Sequence, residues 1–287
     1  MMKFGIPWWC LAAGLVCAVV GRTRAEEPAL PAEEIIRRTV ERSESADERE
    51  ARMRYSFHKR VVTEQMDGKG KVTERKEKLY DVLVRAGVPK ETLVQIDGKT
   101  PPPKVLRKQA ERDAAERASY STDPAKDKEK DKGRPRDKHA KKQEHAEKLA
   151  TEELTARFHF TRRADEVVAG RPTFVLDFEP KPGKLPEKEL TDRFLNHMAG
   201  RVWIDAAEFE VARADIRLLR EITVWGGVLG KLRRCDFTFT QAREPDGLWV
   251  ENLSTGVFEG RKLLDTLAVR FRSEATDYQR LPDGGND

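Results

Sequence analysis

The sequence is poor in cysteine, and the few cysteines are unevenly placed. Of three in 287 residues, Cys10 and Cys17 lie near the N-terminus, and Cys235 alone occurs in the remainder. A single thiol cannot form an intramolecular disulfide, so the fold does not depend on a disulfide framework. Cys235 stands in a run of alternating apolar and polar residues, which favours a buried structural thiol over a nucleophile.

Motifs for catalysis and metal binding are also missing. None of the five histidines has a second ligand at a zinc spacing, and the chain contains no CxxC, GxSxG, Walker or GxGxxG motif. Gly226 and Gly227 lie in a glycine-rich stretch that lacks the lysine of a phosphate-binding loop, which indicates a bend between strands. We therefore expect a protein that is not an enzyme and that has no catalytic residue, metal or cofactor.

Long hydrophobic runs are absent except at the N-terminus. Trp8 to Val20 is a run of 13 residues, shorter than the roughly 20 that a membrane-spanning helix needs. Lys3 precedes the run, and Thr23-Arg24-Ala25 offers small residues at the −3 and −1 positions of a cleavage site. Residues 1–25 are therefore predicted to be a signal peptide cleaved near Ala25, with export to the periplasm. An uncleaved N-terminal anchor is the alternative.

An excess of charge of one sign is lacking as well. Lys and Arg number 55 against 50 Asp and Glu, and three of the five net positive charges belong to the leader. Acidic and basic residues alternate, so no strongly basic face is expected and nucleic acid is excluded as a partner.

Much of the charge lies in the segment from Lys104 to Lys148. Its centre, Asp123–Lys138, has no apolar residue except Ala125, and it cannot offset its ordering entropy by burial. We predict a charged insertion at 104–150, helical over Lys104–Ser119 and His139–Leu154 and disordered between them. It interrupts a single domain that spans residues 26–287.

The dominant positive signal is apolar alternation with a period of two, which is typical of half-buried strands. Tyr55 and Phe57 share one face of a predicted strand, and turn residues such as Asp67-Gly68 separate it from the next strand. The pattern predicts about ten or eleven antiparallel strands and no βαβ units. Two amphipathic helices are predicted, one with the stripe Ile35, Ile36 and Val40 that ends at Ser43–Ala46, the other with the stripe Leu190, Phe194 and Met198.

Several segments together resemble the LolA/LolB-like family of periplasmic lipoprotein-sorting carriers. They are turn-and-strand patterns, most notably Gly200-Arg201-Val202-Trp203-Ile204-Asp205, and the resemblance covers most of residues 32–285 outside the charged insertion. The other segments are Arg54–Phe57 leading into Asp67–Gly70, Ala169–Phe178 and Gly247–Val250.

The resemblance implies a mainly β (α+β) fold, an incomplete antiparallel β-barrel with short helices as a lid over an apolar cavity. In the characterised carriers such a cavity holds lipoprotein acyl chains. The expected function is therefore an exported soluble carrier, monomeric, that binds lipid or lipoprotein acyl chains and passes them between membrane-bound donor and acceptor proteins. The lid candidates are Ile36, Val40, Leu190, Phe194 and Met198, and the cavity-lining candidates are Tyr55, Phe57, Phe158, Phe160, Phe174, Phe178 and Trp203.

Two alternatives stay open from the residues alone. The aromatic side chains could fill a solid core and leave no cavity. The protein could then be a non-catalytic envelope interaction or sensing module that binds a partner through Lys104–Lys148.

Overall fold

The structure is a computed structural model that describes residues 30–50, 54–85, 88–120, 151–187, 190–224, 230–262 and 265–282. The predicted signal peptide, the centre of the insertion and the Gly226-Gly227 bend lie outside these residues. The described helices are α1 (Ala32–Glu50), α2 (Pro103–Tyr120), α3 (Thr151–Arg157) and α4 (Leu190–Asn196). The described strands are β1 (Arg54–Met66), β2 (Val72–Arg85), β3 (Val88–Ile96), β4 (Phe158–Arg162), β5 (Glu166–Val168), β6 (Arg171–Pro180), β7 (Met198–Asp205), β8 (Val211–Leu218), β9 (Ile222–Val224), β10 (Gly230–Arg243), β11 (Trp249–Lys262) and β12 (Asp265–Arg280).

All twelve of these strands belong to one antiparallel sheet. The order is β3-β2-β1-β12-β11-β10-β8-β7-β6-β4, with β5 beside β6 and β9 beside β10. The end strands β3 and β4 are not paired with each other, so the sheet stays open. The predicted incomplete antiparallel barrel is confirmed as an open, mostly β architecture with short helices.

Local sequence explains why the chain reverses where it does. Between β1 and β2, the Asp67 carboxylate accepts hydrogen bonds from the backbone N–H groups of Lys69 and Lys71 at 2.8 and 2.9 Å. Gly70 in the same turn has a φ of 81°, a conformation that glycine adopts without steric cost. The turn after β7 is built in the same way, because the Asp205 carboxylate accepts from the N–H groups of Ala207 and Glu208.

The structure has twelve described strands, ten of them on the continuous path of the sheet, which agrees with the expected ten or eleven. Two other details of the predicted elements were wrong. Helix α1 continues to Glu50 instead of ending at Ser43–Ala46, because isolated serines cost a helix only tenths of a kcal/mol. Helix α4 ends at Asn196, and Met198 opens β7. The apolar spacing of Leu190, Phe194 and Met198 therefore spans a helix and the strand that follows it.

The insertion begins as predicted, with α2 over Pro103–Tyr120. This helix contacts the end strand β3, and the buried Gln109 side chain accepts a hydrogen bond from the Leu93 N–H at 3.3 Å. An unpaired strand edge is a template for association with other chains, so α2 protects part of this edge. Within the described residues, no helix is both long and apolar enough to cross a membrane.

Candidate functional site

The two faces of the sheet differ sharply in chemistry. On one face, named the ionic face here, Asp177, Arg201 and Asp215 lie side by side on β6, β7 and β8. Their sequence neighbours Phe178, Gly200 and Ile216 point to the other face, named the apolar face, because side chains alternate along a strand. The apolar face is therefore where a hydrophobic ligand could be bound.

One half of the apolar face is closed by helices. This helix-packed half comprises β4, β6, β7 and β8, and its Leu176 and Ile204 side chains are 0 % exposed. Helix α1 packs on α3 and β4. The Arg38 guanidinium lies 5.2 Å from the centroid of the Phe209 ring, which in turn contacts Phe174. Much of this half is therefore buried core, while Phe160, Phe174 and Phe178 stay partly exposed at its margin.

A buried polar contact fixes the helices in place. The Arg157 side chain at the end of α3 is buried and donates to the Asp192 carboxylate of α4 at 2.9 Å. It also donates to the Asn196 side chain and, at 3.2 Å, to the Pro186 carbonyl. A buried cation that makes these three hydrogen bonds ties α3, α4 and the preceding loop together.

The other half carries a dense group of aromatic rings that remain partly exposed. This aromatic half comprises β10, β11, β12, β1 and β2. Phe237 and Phe271 have ring centroids 6.1 Å apart, and Phe258 stacks on Phe271 at 5.7 Å. Phe239 adjoins Phe237 at 6.2 Å, and all four rings are only partly buried. The four phenylalanines form a continuous apolar surface that water still reaches.

Gly256 gives this surface its shape. A β-carbon at Gly256 would lie 2.3 Å from the Phe271 ring and 3.0 Å from the Phe258 ring, so the two rings occupy the space that a side chain at this position would need. Ser254 and Ser273, its neighbours on the same face, are also small and buried. In the aromatic half, small residues on β11 and β12 therefore lie among the phenylalanine side chains of β10, β11 and β12.

A second aromatic cluster lies farther along β1 and β12. Phe57 stacks on Tyr278 at 4.6 Å, and Tyr55 lies 6.2 Å from both rings. The Tyr278 hydroxyl donates to the Glu251 carbonyl at 2.7 Å, and burial raises the pKa of Tyr278 well above its usual value. This hydroxyl is a fixed donor that stays protonated at neutral pH.

The seven predicted cavity residues are divided between these regions. Tyr55 and Phe57 lie in the aromatic half, whereas Phe158, Phe160, Phe174 and Phe178 lie in the helix-packed half. Phe158 is buried, and the other five are partly exposed. The structure therefore places the predicted residues in two separate groups.

Trp203 is on the wrong face for the predicted cavity. It pairs with Val175 and Arg213 on the ionic face. The guanidinium groups of Arg213 and Arg201 lie 4.6 and 5.9 Å from the centroid of its ring, and its indole N–H donates to Glu166 at 2.9 Å. The strand alternation sets this side chain opposite Phe174 and Phe178, so it does not share an apolar face with them.

The predicted lid residues have mixed positions. Ile36 is buried and Val40 partly buried on α1, and Phe194 is partly buried on α4. Met198 belongs to β7 instead of a helix. The Leu190 backbone is helical, and its side chain is outside the described set.

The aromatic half contains residues that sequence reasoning did not select, namely Phe237, Phe239, Phe258, Phe271 and Tyr278. Their strands show apolar alternation as clear as that of the strands that carry the predicted cavity-lining residues. The missing information was the pairing of β10 with β11 and of β11 with β12, which no local pattern reveals.

A groove of about 670 Å³ lies across the ionic face of β4, β6, β7, β8 and β10. Arg163 and Arg201 both donate to the Asp177 carboxylate in it, at 2.7 and 2.6 Å. Arg201 most of all lowers the pKa of Asp177, while burial opposes the shift. Asp215 accepts from Arg213 and from the Thr238 hydroxyl. The charged groups of this groove largely satisfy one another.

No three His, Cys, Asp or Glu side chains within the described residues are grouped as a metal ion requires. Burial raises the pKa of the Cys235 thiol, which makes it a poor nucleophile.

No family model and no curated protein matches the sequence. Solved structures with a related fold include a putative outer membrane lipoprotein-sorting protein domain from Vibrio parahaemolyticus, with 12 % identity, a TM-score of 0.36, and coverage of 86 % of this chain and 93 % of that chain. They include a LolA superfamily protein from Nitrosomonas europaea, with 11 % identity, a TM-score of 0.27, and coverage of 89 % and 96 %. They also include MucB in complex with MucA from Pseudomonas aeruginosa, with 10 % identity, a TM-score of 0.22, and coverage of 83 % and 94 %. The family that the sequence resembles is represented among these structures, and the likeness concerns the fold alone.

Proposed function

We propose that the protein is an exported carrier that binds lipid acyl chains, free or attached to a lipoprotein, on the aromatic half of its sheet. The observation that carries this proposal is the group of partly exposed rings of Phe237, Phe239, Phe258 and Phe271 on one continuous surface. Large contiguous apolar patches on a soluble protein mark sites of interaction. The apolar N-terminal run of the sequence supports export to the periplasm, where acyl chains must cross water between membranes.

The energetics suit reversible binding. Each methylene transferred from water to an apolar surface contributes about 0.8 kcal/mol, so a long chain gains many kcal/mol even on an open site. A surface that covers only one side of the chain recovers part of this energy, which keeps release possible. The helix-packed half supports this surface, because side chains such as Leu176 and Ile204 are fully buried there in the protein alone.

Uptake of a fluorescent hexadecanoyl fatty acid tests the proposal. The double variant Phe237→Ser/Phe271→Ser removes two adjacent rings, and we expect its affinity to fall at least about tenfold, equivalent to ~1.4 kcal/mol. Val167→Ser is the matched control, since Val167 is 69 % exposed on β5, away from the aromatic half. Far-UV circular dichroism verifies that both variants fold.

The proposal fails if the wild type takes up no fatty acid or if the double variant binds it as well as the wild type. A variant in which a short Gly-Ser linker replaces residues 121–150 distinguishes the carrier hypothesis from the hypothesis of an interaction module that binds a partner through the insertion. A carrier retains uptake after this replacement. Native mass spectrometry of protein isolated from its own envelope tests the same proposal without an added probe. A carrier should be isolated with bound lipid.

A further inference from the structure

Two rows of side chains on the apolar face lead from the phenylalanines of the aromatic half to lysines on β2. The first row is Phe237, Gly256, Phe271, Thr63 and Lys76, each residue directly opposite the next on the neighbouring strand. Both ends of the row are on the same face because directly paired antiparallel residues share a face. The row therefore joins an apolar end to a cationic end.

The second row runs parallel to the first. It consists of Phe239, Ser254, Ser273, Val61 and Lys78. Gly256 and the two buried serines project little from the sheet, so no large side chain rises from these positions in the middle of the rows. A chain lying along the rows would pass over small residues between the rings on β10 and β12 and the lysines on β2.

The two lysines differ from the other charged groups around them. Lys59, on the same face, is held by Glu91 at 2.7 Å. Lys76 has only a long contact of 3.7 Å with the exposed Glu74. Lys78 is partly buried and makes no side-chain hydrogen bond or ion pair within the described residues. A lysine that rises from an apolar surface and has no carboxylate partner offers its ammonium to an anionic ligand.

The dimensions match an amphiphile. Four strand spacings separate β10 from β2, which is about 19 Å at roughly 4.8 Å per strand. One leaflet of a bilayer has a hydrocarbon depth of roughly 15 Å. A single acyl chain with its head at β2 could therefore reach the phenylalanines of β10 and β12. Residues two apart on a strand are about 7 Å apart, so both ammonium groups can approach one phosphate.

We propose that the ligand of the aromatic half is a phospholipid whose phosphate binds between Lys76 and Lys78 while its acyl chain lies along the two rows. This inference rests on the proposed function and narrows it from acyl chains in general to lipids with an anionic phosphate head. Lysine binds phosphate as a point charge, and two neighbouring ammonium groups can bind oxygens of one phosphate.

Competition against the fluorescent fatty acid tests the proposal with three unlabelled lipids that share a hexadecanoyl chain. They are lysophosphatidylglycerol, the neutral monoacylglycerol and the fatty acid itself. We expect lysophosphatidylglycerol to bind at least about tenfold more tightly than the monoacylglycerol. This advantage should disappear in Lys76→Met/Lys78→Met and persist in the matched variant Lys181→Met/Lys184→Met, which removes two exposed lysines from the loop after β6.

Each outcome bears on the inference separately from the carrier function. Equal affinity of the wild type for the charged and neutral lipids overturns phosphate recognition and leaves acyl-chain binding intact. Preference for the fatty acid over the phospholipid, lost with the two lysines, shows a carboxylate ligand and overturns the phosphate assignment. Binding of none of the three lipids contradicts the carrier proposal itself.

Discussion

The two halves of the apolar face share the same apolar alternation but differ in how far helices cover their side chains. In the helix-packed half, Leu176 and Ile204 are fully buried under helices and the ionic face behind them is tied by ion pairs. In the aromatic half, Phe237 and Phe271 keep water-accessible rings on an otherwise similar strand surface. Apolar alternation therefore defines a face of the sheet, and the packing of helices on that face decides which of its residues are covered.

Truncation of a leucine in each half should give the largest contrast. Leu176→Ala leaves a cavity in a filled core and should lower the free energy of unfolding by about 3–5 kcal/mol. Leu267→Ala, on β12 in the aromatic half, removes a side chain that is 38 % exposed and should cost less than about 1.5 kcal/mol. Urea denaturation followed by circular dichroism measures both. Equal losses would show that the aromatic half is as tightly packed as the other.

Loss of an ion pair on the ionic face should also cost more stability in the helix-packed half than in the aromatic half. Asp205 is buried beside Arg171, which donates at 2.6 and 2.9 Å. Burial alone would raise the pKa of Asp205, but the hydrogen bonds from Arg171 and from two backbone N–H groups outweigh it and lower the pKa. We expect Asp205→Asn to cost about 3 kcal/mol at neutral pH and the more exposed Glu274→Gln to cost less than about 1 kcal/mol.

The pH dependence of Asp205→Asn provides a check. A carboxyl group whose pKa is lowered by folding stabilises the native state above the unfolded pKa of about 3.9, and this contribution is lost as the pH falls through the folded pKa. The stability difference between wild type and variant should therefore be constant at neutral pH and shrink below about pH 4. A difference that stays constant down to pH 2 would contradict the ion-pair assignment.

Substitution of one glycine in each half should give the smallest difference in stability cost between the halves. A β-carbon at Gly200, in the helix-packed half, would lie 2.0 Å from the Asp215 carbonyl oxygen, which is backbone. At Gly256 the nearest atom is in the partly exposed side chain of Phe271, and a side chain can move with less cost than the backbone. We expect Gly200→Ala to cost about 2–3 kcal/mol and Gly256→Ala about 1 kcal/mol or less, measured by thermal unfolding. The reverse order would show that Phe271 is held rigidly.

Gly256→Ala also links stability to binding. Tilting of the Phe271 ring changes the surface on which the acyl chain is proposed to lie. The variant should therefore lose fatty-acid affinity while keeping most of its stability, and Gly200→Ala should do the opposite.

Prediction from sequence succeeded where the signal is local. The β1–β2 turn at Asp67–Gly70 and the start of the insertion helix were identified because turn residues and helix-forming composition act within a few residues. It failed at Met198, since an apolar residue two positions beyond a short helix continues the helical spacing by chance. It also failed at Trp203, whose face depends on where β7 begins and on its register with β6.

The amino-acid sequence by itself determined that this protein builds an open antiparallel sheet with one apolar face, because side-chain alternation and turn chemistry are properties of neighbouring residues. The tertiary structure alone decided which apolar residues are covered. Strand order brings Phe237, Phe258 and Phe271 together from three strands and aligns them with Lys76 and Lys78 on a fourth. Such alignment depends on long-range pairing, whose register is set by the packing of the whole sheet and by no single segment.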